Sequence, residues 1–178
     1  MLRVLELPLE GLKLITPKVF SDERGFFFES YRQADYKACG VDVSFVQDNV
    51  ALSKKGVLRA LHYQESPGQA KLVSCIQGRI WDVAVDIRPA SPTFGQWVAV
   101  ELDDQTHQQL YIPIGFAHGY CTLTDAARVA YKVSSPYHPA TEKSIRWNDP
   151  QLAISWPIQQ PILSPRDQVS PFLAEVFQ

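Results

Sequence analysis

Short apolar or alternating runs follow one another along most of the chain, each closed off by Gly, Pro, Asn or Asp. They occupy residues 12–20, 26–31, 45–53, 57–63, 71–76, 80–88, 97–102, 109–112, 119–123 and 129–134, and Val, Ile, Phe, Tyr and Trp are frequent in them. Branched and aromatic side chains suit a pleated surface, and runs of this length with turn punctuation make many short strands. The expected class is therefore all-β, an antiparallel double-sheet sandwich or barrel. Only residues 33–39 read as a helix, stopped by Gly40.

Alternation within 80–88 sets Trp81, Val83, Val85 and Ile87 on one side and Ile80, Asp82, Ala84 and Asp86 on the other. Taken alone, the run reads as a strand whose carboxylate face meets water; a polar pocket behind it is the alternative. Beyond residue 140 the chain changes character. Trp147-Asn148-Asp149-Pro150, Trp156-Pro157, Pro161, Pro165 and Pro171 punctuate a tail that cannot supply a central strand, because proline lacks a ladder donor. It is expected to wrap the barrel, with Trp147 and Trp156 as anchors.

Composition narrows the classes. With 178 residues, 46% apolar and 20% charged, one folded domain spanning residues 1–178 is expected. A net charge of −2 argues against a nucleic-acid polymer or an anionic membrane as partner. No signal-like stretch or membrane-length run is evident, so a cytoplasmic protein is expected. Cys39, Cys75 and Cys121 have no metal-like spacing and read as free thiols.

Two of the four histidines, His62 and His118, stand in apolar, strand-like surroundings where an imidazole needs a cavity or a buried partner. Taken singly, such a histidine is better explained as a satisfied core residue. Arg59 and Lys71 nearby weaken that explanation for His62, since a buried cation requires an anion. Strict alternation sets Arg59 and His62 on opposite faces, so a shared site requires a bulge or a strand end. Gln47 and Asn49 share a face by alternation. Tyr131 taken alone reads as packing, Asp167 as a loop residue or helix cap, and Asp22-Glu23-Arg24-Gly25 as a turn, although Arg24 has the geometry to bind phosphate bidentately.

Pro113-Ile114-Gly115-Phe116-Ala117-His118 resembles the second motif of the cupins, small jelly-roll barrels. Metal-binding cupins pair that motif with His-x-His; here the corresponding stretch is His62-Tyr63-Gln64. A cupin barrel without a metal is expected.

Further blocks sharpen the resemblance. They are Phe20-Ser21-Asp22-Glu23-Arg24-Gly25-Phe26-Phe27-Phe28-Glu29, Phe45-Val46-Gln47-Asp48-Asn49, Gly56-Val57-Leu58-Arg59-Ala60-Leu61-His62-Tyr63-Gln64 and Gln69-Ala70-Lys71-Leu72-Val73. Residues 82–88, 112–119, 131–132 and 145–150 continue the series. In this order they resemble the dTDP-4-dehydrorhamnose 3,5-epimerase family, nearly end to end.

The resemblance implies a cupin-like jelly roll with a few short helices. It implies a cofactor-independent epimerase that inverts C3 and C5 of dTDP-4-keto-6-deoxy-D-glucose, giving dTDP-4-keto-L-rhamnose for rhamnose synthesis. By position, His62 matches the general base, Asp167 its orienting carboxylate, Tyr131 the general acid and Lys71 the cation at the developing enolate. Arg24, Gln47, Asn49, Arg59, His118, Glu142 and Arg166 match positions that bind the sugar nucleotide. Tyr137 matches a ring stacked on thymine. Glu29 matches a residue that reaches the partner's site in a homodimer, with 26–31 as the exchanged strand.

Ala60 stands where the family usually has Gly, and Arg166 where Lys is common. Alternation sets Ala60 on the face of His62, so its methyl is expected to narrow the pocket floor and bears on which carbons are epimerised. Three rivals follow: a relative that inverts one carbon or isomerises the ketone, a metal-dependent cupin, and a binding protein without catalysis.

Overall fold

The computed structural model describes residues 2–177. Thirteen strands and three short helices follow one another: β1 (Arg3–Glu6), β2 (Lys13–Thr16), β3 (Val19–Asp22), β4 (Gly25–Phe28), α1 (Gln33–Ala38), β5 (Gln47–Lys54), β6 (Leu58–Gln64), β7 (Lys71–Gln77), β8 (Arg79–Asp86), β9 (Trp97–Asp103), β10 (Gln109–Ile112), β11 (Phe116–Thr122), β12 (Ala126–Val133), β13 (Glu142–Ser144), α2 (Pro165–Gln168) and α3 (Leu173–Val176). Two antiparallel sheets carry the barrel, in the orders β1-β2-β10-β7-β12-β5 and β13-β6-β11-β8-β9. β3 and β4 form a separate hairpin.

The first run, residues 12–20, is two strands and not one. Pro17 follows β2, and the chain leaves the sheet there: β2 pairs with β1 and β10, while β3 pairs only with β4. The run at 119–123 begins earlier, at Phe116, which takes His118 into a strand. Helix α1 ends as its glycine requires. Gly40 has φ +81°, its N–H reaches the Lys37 carbonyl at 3.0 Å, and the Val41 N–H reaches Tyr36 at 2.9 Å.

Between the sheets, Val73, Cys75, Ile80, Ala84, Leu102, Leu110, Phe116 and Val129 fill one end of the interior. A second core lies outside the five-stranded sheet. There Leu58, Ala60, Leu61, Val83, Val85, Ala117 and Cys121 pack beneath Leu152, Trp156, Leu173 and Phe177 of the tail. The tail therefore does wrap the barrel, and both tryptophans join this layer. The Trp156 indole N–H donates to the Trp147 carbonyl at 2.8 Å, and the Trp81 and Trp156 rings meet edge-on at 5.2 Å.

That second layer corrects the reading of β8. Its carboxylate face does not meet water: Asp82 and Asp86 are fully buried in the barrel, and the tail covers Val83 and Val85 on the other side. Alternation distinguished the two faces, but only the tail decides that both are buried. Asp149 fastens the tail. One carboxylate oxygen accepts the Gln151 and Leu152 N–H groups at 2.8 and 3.0 Å, and the other accepts the Leu173 N–H at 2.6 Å.

Candidate active site

One end of the barrel is left open as a cavity of about 480 Å³, a size suited to a small ligand. Its lining comes from both sheets: Gln47, Asn49 and Ala51 on β5, Tyr131 on β12 and Lys71 on β7 face Arg59, His62 and Gln64 on β6 and His118 and Tyr120 on β11.

A bulge in β6 brings Arg59 and His62 to the same side. His118 lies opposite His62 and Tyr120 opposite Arg59, so Ala60 and Leu61 together span the single residue Gly119. The extra residue shifts the alternation by one, which is what a shared site demanded. The same bulge turns Ala60 outward. Ala60 packs in the layer under the tail, against Gly119, where an added Cβ would come within 2.7 Å of the Ala60 methyl. Ala60 therefore does not share a face with His62 and does not narrow the pocket floor.

His62 is held from the tail. Its Nε2 lies 2.7 Å from an Asp167 carboxylate oxygen, and Asp167 is buried. Asp167 stands in the first turn of α2, where the Ser164 hydroxyl caps its N–H at 3.1 Å and Pro165 opens the helix. Arg146 anchors that turn by donating from Nε to the Ser170 carbonyl at 2.7 Å. The cap of α2 is Ser164 and not Asp167, which lies within the helix and is instead the partner of a histidine 105 positions away.

His118, the cross-strand neighbour of His62, has its own carboxylate. Its Nε2 lies 3.0 Å from both oxygens of Asp82. Burial pushes the Asp82 carboxyl up, while His118 and Lys71 oppose the shift. Lys71 is buried beside them, its Nζ 3.4 Å from the His62 carbonyl oxygen. Burial pulls its pKa down to about 8, against the attraction of Glu142 and Asp82. Across the pocket, burial raises the Tyr131 phenol and the nearby Arg59 lowers it.

At the mouth the Gln47 amide donates to Asn49 Oδ1 at 2.8 Å, so their shared face is real. The Tyr137 N–H donates to Gln47 Oε1 at 3.1 Å, which ties the mouth loop to β5. The Tyr137 ring is exposed beside Glu142 and Arg166, which pair with each other. Gln64 is engaged with the protein: it donates to the Ser135 hydroxyl at 3.1 Å and accepts the His138 N–H at 3.1 Å.

Arg24 and Glu29 are not brought into this pocket. Arg24 lies at the tip of the β3–β4 hairpin, exposed and bound to Asp22; Glu29 follows the hairpin and pairs with Arg32. Conversely, Asp82 as the partner of His118, Tyr120, Ser53 and Gln69 were not singled out from the sequence. Tyr120 was within reach, two residues from His118 and so on its face. Asp82 was on the right face but set aside as solvated.

The arrangement offers an imidazole with a fixed carboxylate on one sheet, a phenol on the facing sheet and a buried ammonium. Such groups remove a proton beside a carbonyl, hold the resulting oxyanion and return a proton from the other side.

Known proteins share this architecture. The family model described as dTDP-4-dehydrorhamnose 3,5-epimerase matches residues 6–175. The Salmonella typhimurium dTDP-4-dehydrorhamnose 3,5-epimerase is 50% identical over 176 residues, covering 97% of this chain and 96% of that protein. The Neisseria gonorrhoeae relative of the same name is 50% identical over 92% of this chain, which spans half of that longer protein. The crystal structure of the Legionella pneumophila dTDP-6-deoxy-D-glucose-3,5-epimerase, in complex with dTDP-4-keto-L-rhamnose, superposes with a TM-score of 0.96 at 48% identity, covering 99% of this chain and 97% of that one. A paired imidazole and phenol across a cupin-like barrel, a family match over nearly the whole sequence and this level of identity lead to one conclusion: the chain is an epimerase and belongs to the dTDP-4-dehydrorhamnose 3,5-epimerase family.

Proposed function

We propose that this enzyme inverts C3 and C5 of dTDP-4-keto-6-deoxy-D-glucose, yielding dTDP-4-keto-L-rhamnose, with His62 as base, Tyr131 as acid at C5 and Lys71 at the C4 oxygen. The observation that carries the reading is the His62–Asp167 pair, 2.7 Å apart, facing Tyr131 across a pocket that also holds Lys71. The C4 ketone makes the protons on C3 and C5 acidic. His62 takes one, its tautomer held by Asp167. The electron pair moves into the C4 carbonyl, where the Lys71 ammonium stabilises the enolate. A proton added to the opposite ring face inverts the carbon. No oxidation state changes, so the chemistry calls for no redox cofactor.

Gln47, Asn49, Arg59, His118, Glu142 and Arg166 would hold the sugar nucleotide, with Tyr137 stacked on the base. Arg166 keeps the positive charge of the commoner Lys while presenting a planar fork. The family match over residues 6–175 supports treating the chain as one catalytic unit. Among the described residues no helix is long and apolar enough to cross a membrane, and the nucleotide-sugar substrate suits work in the cytoplasm.

The proposed homodimer gives Arg24 and Glu29 a purpose. They lie outside their own pocket, on and beside a hairpin that exposes Phe20, Phe26 and Phe27, while the outer face of β5 exposes Val50 and Leu52. Apolar surface of this kind marks an interface. Residues 26–31 are read as the strand delivered to the partner. Analytical ultracentrifugation is expected to give a dimer, and Phe26→Asp to give monomers of low activity. A fully active monomer would remove the exchange from the reading.

The direct test is proton NMR with the 4-keto sugar nucleotide in D2O. Deuterium is expected at both C3 and C5, with reducible dTDP-4-keto-L-rhamnose as product. Exchange at one carbon would give a narrower epimerase, and binding without exchange a non-catalytic protein. Tyr131→Phe is expected to reduce net inversion at C5 by roughly 10²-fold while exchange at C3 persists. Equal losses at both carbons would take the C5-specific role from Tyr131.

A further inference from the structure

Arg59 lines the pocket with an exposed side chain and makes one side-chain hydrogen bond among the described residues, and its partner lies on the other sheet. Its Nε–H donates to the Ser53 hydroxyl at 3.0 Å. Ser53 is on β5, fourth in the inward series Gln47, Asn49, Ala51, Ser53, and is buried. The Tyr120 hydroxyl lies 3.3 Å from the same oxygen and is buried as well. Tyr120 is the cross-strand neighbour of Arg59 at the bulge. Two adjacent side chains of the five-stranded sheet therefore converge on one hydroxyl of the six-stranded sheet.

A serine hydroxyl has one donor and two acceptor sites, enough to accept from Arg59 and exchange a bond with Tyr120. Engaging Nε fixes the plane of the guanidinium and leaves both terminal nitrogens free. That edge presents two parallel N–H donors that can bind two phosphate oxygens. An untethered arginine would lose side-chain freedom on binding, and a pre-set one loses less.

We infer that Ser53 and Tyr120 are positioning residues that hold the Arg59 fork ready for the substrate's diphosphate, a role that rests on the proposed placement of Arg59 at that group. The pair touches neither the reacting carbons nor the base His62. Its contribution is to binding common to ground state and transition state, so it sets KM and not kcat.

The test uses the full-length enzyme, with dTDP and thymidine as separate binding probes. Losing one hydrogen-bonded tether should weaken binding by roughly three- to tenfold. Ser53→Ala is expected to raise KM and the dTDP Kd by that factor. kcat and the affinity for thymidine, which lacks the phosphates, should stay unchanged. Ser53→Thr, which restores a hydroxyl, should recover dTDP affinity, and Ser53→Ala in an Arg59→Ala background should add nothing. Thermal melts establish that each variant is folded. If Arg59→Ala weakens dTDP binding while Ser53→Ala does not, the positioning role is overturned and the diphosphate reading stands. If Arg59→Ala leaves dTDP affinity unmoved, the diphosphate reading fails and takes the positioning role with it. Equal weakening of dTDP and thymidine by Ser53→Ala would reduce Ser53 to general support of the pocket.

Discussion

Replacing His62 by alanine should lower kcat/KM by roughly 10³- to 10⁴-fold, the upper range for loss of a general base, with dTDP affinity held within about twofold. The reason is geometric. His62 is the imidazole in the pocket whose Nε2 is engaged by a buried carboxylate from the tail. With that nitrogen committed to Asp167, Nδ1 is the nitrogen left to take a proton. The residues proposed to bind the nucleotide are others of the pocket, so affinity and rate should separate. Asp167→Asn should act in the same direction but less severely, since it leaves the base present and only misdirects its tautomer. Single-turnover rates and dTDP titrations on both variants check this. A His62→Ala enzyme with wild-type turnover would assign the base to another residue.

Lys71 carries the second large effect. Lys71→Met should lower kcat by roughly 10²- to 10³-fold, as expected for removing a donor to a developing oxyanion. In the wild-type enzyme, activity should decline as pH rises through about 8, where the buried ammonium loses its proton, and not near the ordinary 10.5. The stability consequence has the opposite sign. Because the folded pKa lies below the unfolded one, the unfolded chain binds more protons between pH 8 and 10.5, and stability rises with pH across that window. The gain is about 3 kcal/mol from this group, and below pH 8 the same amount is withheld from the fold. Lys71→Met should abolish that part of the pH dependence and be the more stable protein at pH 7 despite its inactivity. Denaturant unfolding at pH 7 and pH 10 for both proteins measures the difference. An unchanged slope would show that Lys71 is not held at a disadvantage.

These two residues illustrate a general tension. The fold buries the Lys71 cation and partly compensates it with Asp82 and Glu142. His118 shares Asp82, so the charges at this part of the pocket form a linked set. A substitution at Asp82 would disturb both partners at once.

Local rules made much of this molecule legible. Alternation and turn residues located most strands, the helix stop at Gly40, the shared face of Gln47 and Asn49, and the two faces of β8. Residue types in order named His62, Lys71, Tyr131 and Asp167 through the family they resemble. These features depend on neighbours a few positions apart, and a period of two or a glycine is written directly in the chain.

What the sequence left undecided depends on distant partners. Pro17 marked a break that the apolar pattern of 12–20 concealed. Whether the carboxylate face of β8 met water was settled by the six-stranded sheet packed against it, while the tail, fastened through Asp149, covers the other face. The bulge at Ala60 and Leu61 follows from how β6 pairs with β11, and it sends Arg59 inward and Ala60 outward. The same long-range closure carries Asp167 across 105 positions to His62 and leaves Arg24 and Glu29 on the outside. A side chain's identity is local, but the face it finally occupies is set by the strand or tail packed against it, and only the tertiary structure contains that information.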